Sequence, residues 1–463
     1  MTERDDGAPP ACPWHADAVP LYETVSEPDR RRVWESLRSR FGQVAPVLLE
    51  PGLPAWLLLG YEENLEVLRD WGTFSRDTRR WNEIRDGRRK LDAGLRPAMG
   101  YRKSAIYCDG AEHARLAAPI NDALSRLTDT RIRTDITEAA DTLIDDFCAE
   151  GSADLVADYA DLLPALLMNR FFGLEDIYGY VLGELSGIIW TNDSARGADA
   201  VVQLRNYFGG LVIRKRETPG PDLTSWMMEH PVGLTDREMA DQLVLLSAAA
   251  QEPAANLLGN VLRELLVDPD VAREYASGGL LLDDIVNHVI WTEPPMQALC
   301  ARFPTRDVTI DGTRIAEGEP LIIGFAPAHH DPRLRDARDD TGAPLPSGHN
   351  SAHLMWGAGE HRCPAQSLAL QVVAIGIERL LDRLSGVRLA VDPGDLRWRR
   401  ELLSRGLTSL PIEFTPVPPP VRPAQTVPAA ARPADDGEPA AQTNDLLHRV
   451  MRWWQGSGRR RRR

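Results

Sequence analysis

The stretch His353-Leu354-Met355-Trp356-Gly357-Ala358-Gly359-Glu360-His361-Arg362-Cys363-Pro364-Ala365 places one cysteine between a glycine-broken loop and an apolar segment. The residues from Ala365 to Leu384 could form about five turns of helix, and Pro364 suits a first helical position because its missing N–H is not needed there. We therefore expect Cys363 at a helix N-terminus, where unpaired N–H groups favour a thiolate over a thiol. The two glycines would let the loop pass close to a flat, bulky group.

A thiolate held in this way is how an axial sulfur ligand to haem iron would be built, although an isolated cysteine can equally be a buried structural residue. The segment resembles the haem-binding loop of cytochrome P450, whose pattern is aromatic-x-x-Gly-x-x-x-Cys-x-Gly/Ala, and it fills every position. The resemblance implies haem b with Cys363 as the metal ligand. The residues of this loop that it implies at the cofactor are Trp356, Gly357, Gly359, His361, Cys363 and Ala365.

The composition limits the class of protein. A chain of 463 residues, 43% of them hydrophobic, can bury a large core. The net charge of −15 disfavours nucleic-acid binding. Five cysteines without paired spacing favour a reducing compartment over disulfides or a zinc site. Without an apolar run of roughly 20 residues or a signal-peptide pattern, the sequence predicts a cytoplasmic protein.

Helical patterns dominate, and short strands are confined to the edges. Residues Ala45–Gly60 predict a β-hairpin around a Pro-Gly turn. Predicted helices include Glu62–Trp71, Thr134–Cys148 and Leu155–Phe172, and predicted strands include Val308–Ile310 and Pro320–Phe325. We expect a mainly α protein with small β-sheets, the cytochrome P450 fold, and a long central helix over haem. The predicted divisions are a flexible leader (1–15), one large haem domain (16–414), a Pro/Ala-rich linker (415–442) and an amphipathic helix with a polyarginine tail (443–463).

Thr235 and Glu238 form a capping box that predicts the start of the long helix. The helix can continue to Val267, a length of about 48 Å. Small residues at its centre, Ser247 to Ala250, would let the backbone approach a flat macrocycle. This part resembles the oxygen-binding helix of the family, with the pattern Ala-Gly-x-Glu/Asp-Thr, and the resemblance implies roles for Ala249, Gln251 and Glu252.

Pro253 stands where the family has a threonine that assists oxygen activation and proton relay. Proline has neither a hydroxyl nor an N–H, and inside a helix it costs roughly 3 kcal/mol. The residue either only bends the helix or marks altered oxygen handling. In the second case Glu252, Gln251, water or a substrate hydroxyl would substitute for the threonine.

Other positions that the resemblance assigns to the cofactor are partly kept. His113, Arg302 and His353 match residues that contact the haem propionates, whereas the arginine expected four residues after His113 is Ala117. The Glu-x-x-Arg pair of the family is replaced by His288 and Trp291. Loss of both members of a buried pair is tolerable where loss of one is not, and an actinobacterial subgroup of the family shares this absence.

The resemblance implies a monooxygenase that acts on a small organic molecule, with electrons from NAD(P)H through ferredoxin reductase and ferredoxin. The alternatives are a non-catalytic haem-binding protein of a signalling assembly and an enzyme driven by peroxide. The basic segment 79–103 would suit an acidic or carrier-linked substrate, and a solvated loop without a role in binding is the alternative. Five terminal arginines after Trp453 and Trp454 would suit an anionic membrane surface, with peripheral localisation, or an acidic partner; a solvated end without a role is the alternative.

Overall fold

A computed structural model describes residues 17–88, 99–176, 179–191, 193–337 and 350–420. The leader (1–15), most of the linker (421–442) and the tail (443–463) lie outside the described residues. Within the described ranges the α-helices are α1 (Arg30–Phe41), α2 (Tyr61–Arg69), α3 (Asn82–Arg85), α4 (Gly110–Ser125), α5 (Asp129–Phe147), α6 (Leu163–Phe172), α7 (Gly179–Ile188), α8 (Ser194–Glu217), α9 (Leu223–Glu229), α10 (Asp236–Val267), α11 (Pro269–Ala276), α12 (Leu282–Thr292), α13 (Phe325–His329) and α14 (Gln366–Arg383). None of these helices is long and apolar enough to cross a membrane.

In the part of the chain that the structure describes, the strands are short and form three sheets at the edge of the helical body. They are β1 (Val19–Pro20), β2 (Val44–Glu50), β3 (Leu53–Leu58), β4 (Phe74–Ser75), β5 (Ser152–Asp154), β6 (Ala298–Pro304), β7 (Val308–Ile310), β8 (Thr313–Ile315), β9 (Leu321–Gly324), β10 (Ser385–Leu389) and β11 (Pro411–Thr415). The largest sheet has the order β1-β2-β3-β9-β6-β4, and the others are β10-β11-β5 and β7-β8. The predicted hairpin is confirmed as β2 and β3, paired antiparallel from Val44 opposite Leu58. Together these elements confirm the mainly α class with small sheets.

Helix α10 begins as the capping box predicts and crosses the molecule. The Thr235 hydroxyl accepts a hydrogen bond from the Glu238 N–H at 3.3 Å, and the Glu238 carboxylate accepts one from the Thr235 N–H at 2.9 Å. The helix runs unbroken through Pro253 to Val267. It packs against α6, α7, α8, α12 and α14, so it forms the centre of the helical body.

The predicted helix over Leu155–Phe172 is divided in the structure. A single π-helical turn covers Val156–Ala160, and α6 starts only at Leu163. Pro164 explains the division, because proline has no N–H to continue the hydrogen-bond ladder from the preceding turn. The Tyr159 hydroxyl donates a hydrogen bond to the Gly376 carbonyl at 2.6 Å and thereby ties this turn to α14.

Candidate functional site

A cavity of about 420 Å³ lies between α10 and the loop that carries Cys363. One wall is the small-residue face of α10, with Ala249 and Pro253, and the opposite wall is the cysteine loop with the start of α14. Apolar side chains from α4, α6 and α10 enclose much of the remaining space. They include Ile120, Leu124, Leu167, Met168, Phe171, Leu245 and Leu246.

The cysteine loop is held by left-handed glycines and its own backbone hydrogen bonds. Gly357 and Gly359 have φ of +69° and +72°. A Cβ at Gly359 would lie 2.7 Å from the Leu68 carbonyl oxygen, so this glycine is required where the loop presses against the end of α2. The Cys363 N–H donates to the Trp356 carbonyl at 2.8 Å, which closes the loop just before the cysteine.

The surroundings of the sulfur correct one expectation. Helix α14 begins at Gln366, so Pro364 precedes the helix instead of opening it. Burial raises the pKa of the Cys363 thiol, and the Ala365 backbone and Arg362 only partly oppose this. The protein alone therefore favours the neutral thiol, and a bound metal ion would be needed to hold the thiolate.

Buried cationic side chains line the edge of the cavity. Arg302 is 1% exposed, and its guanidinium donates one long hydrogen bond, 3.4 Å to the Phe74 carbonyl, while Nε has no partner among the described residues. Burial and the neighbouring Arg76 lower the pKa of Arg302 to about 9. Arg76 is also buried, and it donates to the main-chain carbonyls of Cys300 and Ala301. Burying two such cations is costly unless an anion accompanies them.

Two histidines join this edge to the cysteine loop. The ring nitrogens of His113 lie 2.9 Å from the Ala105 carbonyl oxygen and 3.0 Å from the Glu360 carbonyl oxygen. The His361 ring is 4.1 Å from that of His113, and burial lowers the pKa of His361 to about 3. Both histidines line the cavity. However, His113 connects α4 to the loop through both nitrogens, so this arrangement leaves no ring N–H for the propionate that the sequence assigned to it.

His353 is placed elsewhere. It does not line the cavity, and its ring packs against Trp291 and His329 with centroid distances of 6.0 and 6.1 Å. The geometry therefore does not support the expected contact of His353 with a propionate, and His361, nearer to the cysteine, lines the cavity instead.

Gln251 and Glu252 also turn away from the cavity, in contrast to the sequence prediction. At about 100° per residue, Gln251 lies about half a turn, and Glu252 about a quarter of a turn, from the middle of the face that Ala249 and Pro253 present. The Gln251 amide donates to the Asp161 carbonyl at 2.6 Å. Glu252 accepts from the Asn256 amide at 2.9 Å, and burial raises its pKa.

Behind α10, these two residues contact a partly buried ionic cluster that no local sequence motif indicates. One Arg399 nitrogen lies 2.6 Å from the Asp161 carboxylate, and another lies 3.4 Å from that of Glu252. Burial raises the pKa of Asp161 to about 6. Arg76 and Arg102, which line the cavity, were missed as well, because no local motif marks them.

The fold and the site together define a class: a helical protein with a cysteine loop facing a long helix across a cavity that can take a flat anionic group. The chain matches no protein-family model. It is 30% identical over 384 residues to 2-hydroxy-5-methyl-1-naphthoate 7-hydroxylase of Streptomyces carzinostaticus, covering 81% of this chain and 92% of that protein. It is 28% identical over 376 residues to cytochrome P450 monooxygenase PikC of Streptomyces venezuelae, covering 78% and 86%. The solved structure of CYP154C4 from Streptomyces sp. W2061 superposes with a TM-score of 0.75 at 25% identity, covering 85% and 97%.

The chain belongs to the cytochrome P450 family, and it is an oxidoreductase. The family implies haem with a cysteine thiolate as axial ligand. The residues present fit that group, because two buried donors that face the cavity, Arg302 Nε and Trp356 Nε1, lack partners among the described residues. The small and apolar residues of α10, including Ala249 and Pro253, line the same cavity as the cysteine loop.

Proposed function

We propose that the protein is a haem-thiolate monooxygenase that inserts one oxygen atom from O2 into a hydrophobic small organic substrate. Haem b would be held by Cys363, and it would supply the O–O cleavage and oxygen-transfer chemistry when bound. Electrons would come from NAD(P)H through ferredoxin reductase and ferredoxin, in the cytoplasm. The observation that carries the proposal is the position of Cys363 in one wall of a cavity whose other wall is the small-residue face of α10.

The residues of the chain have separable roles in this proposal. Cys363 binds the iron, and Arg302 with Arg76 and Arg102 offers cations to the carboxylates at the edge of the macrocycle. Gly357 and Ala249 allow close approach from the two sides. The apolar side chains of α4 and α6 exclude water and favour a hydrophobic substrate, in keeping with the cost of leaving a polar molecule unpaired there.

We also propose that oxygen activation is atypical. Pro253 occupies the cavity wall without a hydroxyl, and Glu252 hydrogen-bonds away from the cavity toward Asn256 and Arg399. A proton would therefore reach the reacting oxygen through water or a substrate hydroxyl beside Pro253. Glu252 would contribute only after it leaves its present partners.

Two measurements test the function. Reduced protein with carbon monoxide should give a thiolate-type absorption band that disappears in Cys363→Ser. Product should then form with ferredoxin, reductase, NADPH and O2 on hydrophobic candidate substrates. A histidine-type or haem-free spectrum would overturn the proposal, and a thiolate spectrum without turnover of any candidate would favour the non-catalytic haem-binding alternative.

Peroxide-driven oxidation is the second candidate, and one observation favours it: among the α10 residues that line the cavity, none carries a proton-donating side chain. Hydrogen peroxide already carries the two electrons and the two protons that O2 would otherwise have to receive. If hydrogen peroxide alone supported turnover at a rate equal to or above that with ferredoxin, reductase and NADPH, the protein would be a peroxide-driven enzyme.

A separate proposal concerns residues 443–463 and does not involve the reaction. We propose that the polyarginine tail binds an anionic membrane surface, supported by its charge and by Trp453 and Trp454. Sedimentation with vesicles of phosphatidylcholine containing phosphatidylserine should retain the full chain and release a chain without 443–463. Equal binding of both chains would overturn this part.

A further inference from the structure

Three ring side chains pack together where the family's Glu-x-x-Arg pair is missing. Trp291 from α12 lies against His329 of α13, with ring centroids 4.9 Å apart, and His353 closes the group from the cysteine loop side. All three are buried, and His329 is 0% exposed. The cluster therefore joins α12, α13 and the loop that leads to Cys363.

His329 makes a directed bridge within this cluster. Its Nδ1 lies 3.0 Å from the Ile290 carbonyl oxygen on α12. Its Nε2 lies 3.0 Å from the Leu354 backbone nitrogen in the loop. A carbonyl only accepts and an amide N–H only donates, so these partners select the neutral ring with its proton on Nδ1.

The bridge is passed on toward the sulfur through the backbone of the loop. The Leu354 carbonyl accepts from the Gly357 N–H at 2.8 Å, and the Trp356 carbonyl accepts from the Cys363 N–H at 2.8 Å. Leu354 therefore fixes the start of the turn whose end carries the cysteine. If the Leu354 amide were displaced, the hydrogen bond from the Gly357 N–H to the Leu354 carbonyl would be lost.

Trp291 supplies a second attachment between the same elements. Its indole N–H donates to the Asn350 carbonyl at 2.7 Å. His288, the other residue in the missing pair, instead turns toward Glu264 on α10, with 3.8 Å between the nearest nitrogen and oxygen. Helix α12 thus holds the loop at residues 350 and 354 through neutral hydrogen bonds, where the family uses an ion pair.

We propose that His329 is a positioning residue for Cys363: its neutral imidazole connects α12 to Leu354 and keeps the cysteine sulfur where it can ligate iron. The proposal rests on the proposed function, because it assumes that Cys363 is the iron ligand. His329 does not line the cavity, so it would position Cys363 through the loop and not by contact with the cofactor.

Two amide variants separate the two halves of the bridge. In His329→Gln the distal amide reaches the position of Nε2 and can still accept from the Leu354 N–H. In His329→Asn the shorter amide reaches only the position of Nδ1 and can serve the Ile290 carbonyl alone. His353→Phe is the matched control, because it changes the same cluster without touching the bridge.

The experiment compares haem-replete full-length proteins by the lifetime of the thiolate-type carbon monoxide complex and by hydrogen exchange of the Leu354 amide. We expect His329→Asn to shorten that lifetime and to speed Leu354 exchange about tenfold, the effect of losing one buried hydrogen bond. His329→Gln should lie within about threefold of the parent and His353→Phe close to it. Far-UV circular dichroism of each variant checks that the helices remain.

The outcomes are distinguishable. If the parent shows no thiolate-type complex, the proposed function fails, whatever the variants do. If the parent shows it and His329→Asn matches His329→Gln in both lifetime and Leu354 exchange, the positioning role fails alone. If His329→Gln does not fold, His329→Asn is compared with His353→Phe directly, and if His329→Asn does not fold, His329→Ala, which also lacks an acceptor at the position of Nε2, takes its place. In either case, unchanged Leu354 exchange in the variant without that acceptor overturns the role.

Discussion

At the scale of single residues, Arg302 is a charge that the polypeptide buries without an ion-pair partner among the described residues. Such a burial destabilises the protein alone but favours a bound anion. We predict that Arg302→Leu raises the free energy of unfolding of the haem-free protein by about 1–4 kcal/mol. The same change should weaken haem retention about tenfold or more, since a hydrogen bond to a charged group is lost.

Urea unfolding of the haem-free protein and haem transfer to an apo-globin measure the two effects. Arg314→Leu is the control, because Arg314 is exposed on β8 and pairs at the surface with Asp307. If Arg302→Leu destabilised the haem-free protein and left haem transfer unchanged, Arg302 would have only a structural role.

His353 gives a prediction for acid pH. Burial lowers its pKa to about 4, below the value of about 6.5 in an unfolded chain. The stabilisation is therefore present above about pH 6.5 and is lost as the pH falls toward 4. Between pH 7.5 and pH 5 we expect the free energy of unfolding to fall by about 2 kcal/mol through this residue. His353→Phe cannot take up the proton, so its loss over the same interval, measured by urea unfolding, should be smaller by that amount; equal losses would contradict the prediction.

At the scale of secondary-structure elements, Pro253 inside α10 allows the cost of a proline in this helix to be measured. The helix continues through this proline, although the ring removes one backbone hydrogen bond. We predict that Pro253→Ala raises the free energy of unfolding by about 1–3 kcal/mol, because it restores the N–H and removes the clash. Pro253→Thr should stabilise less but should increase the fraction of NADPH electrons that reach product. No gain in stability in either variant would mean that the surrounding helices already absorb the cost of the proline.

The same helix shows which features the sequence could predict. Its capping box is a local contact of Thr235 with Glu238, so the start of the helix was predicted correctly. The motif that predicted Gln251 and Glu252 at the site, in contrast, gives their order along the chain but not the direction of their side chains, which point away from the cavity. Arg76 was missed for another reason: it is recognised only by its contacts with Cys300 and Ala301, more than 200 residues away. Contacts of this kind cannot be read from local spacing.

At the scale of the whole molecule, the end of the haem domain lies later than residue 414. Strand β11 pairs with β10 as far as Thr415, and the Val417 N–H donates to the Cys148 carbonyl at 2.9 Å. The sequence boundary was set where proline and alanine become frequent. Composition cannot reveal that the first residues of such a segment still pair with a strand.

This boundary gives a prediction from two truncations. A chain that ends at Pro420 keeps β11 and should retain the thermal midpoint and the carbon monoxide spectrum of the full chain. A chain that ends at Leu410 loses Ile412 and Phe414, which are 1% and 5% exposed, and the ring contact of Phe414 with Phe147. Each buried side chain contributes about 1.5–3 kcal/mol, so the shorter chain should lose about 4 kcal/mol or more and unfold at a clearly lower temperature. If instead the chain ending at Pro420 were the destabilised one, residues 421–463 would be part of the folded domain, and the linker and tail would need a structural role.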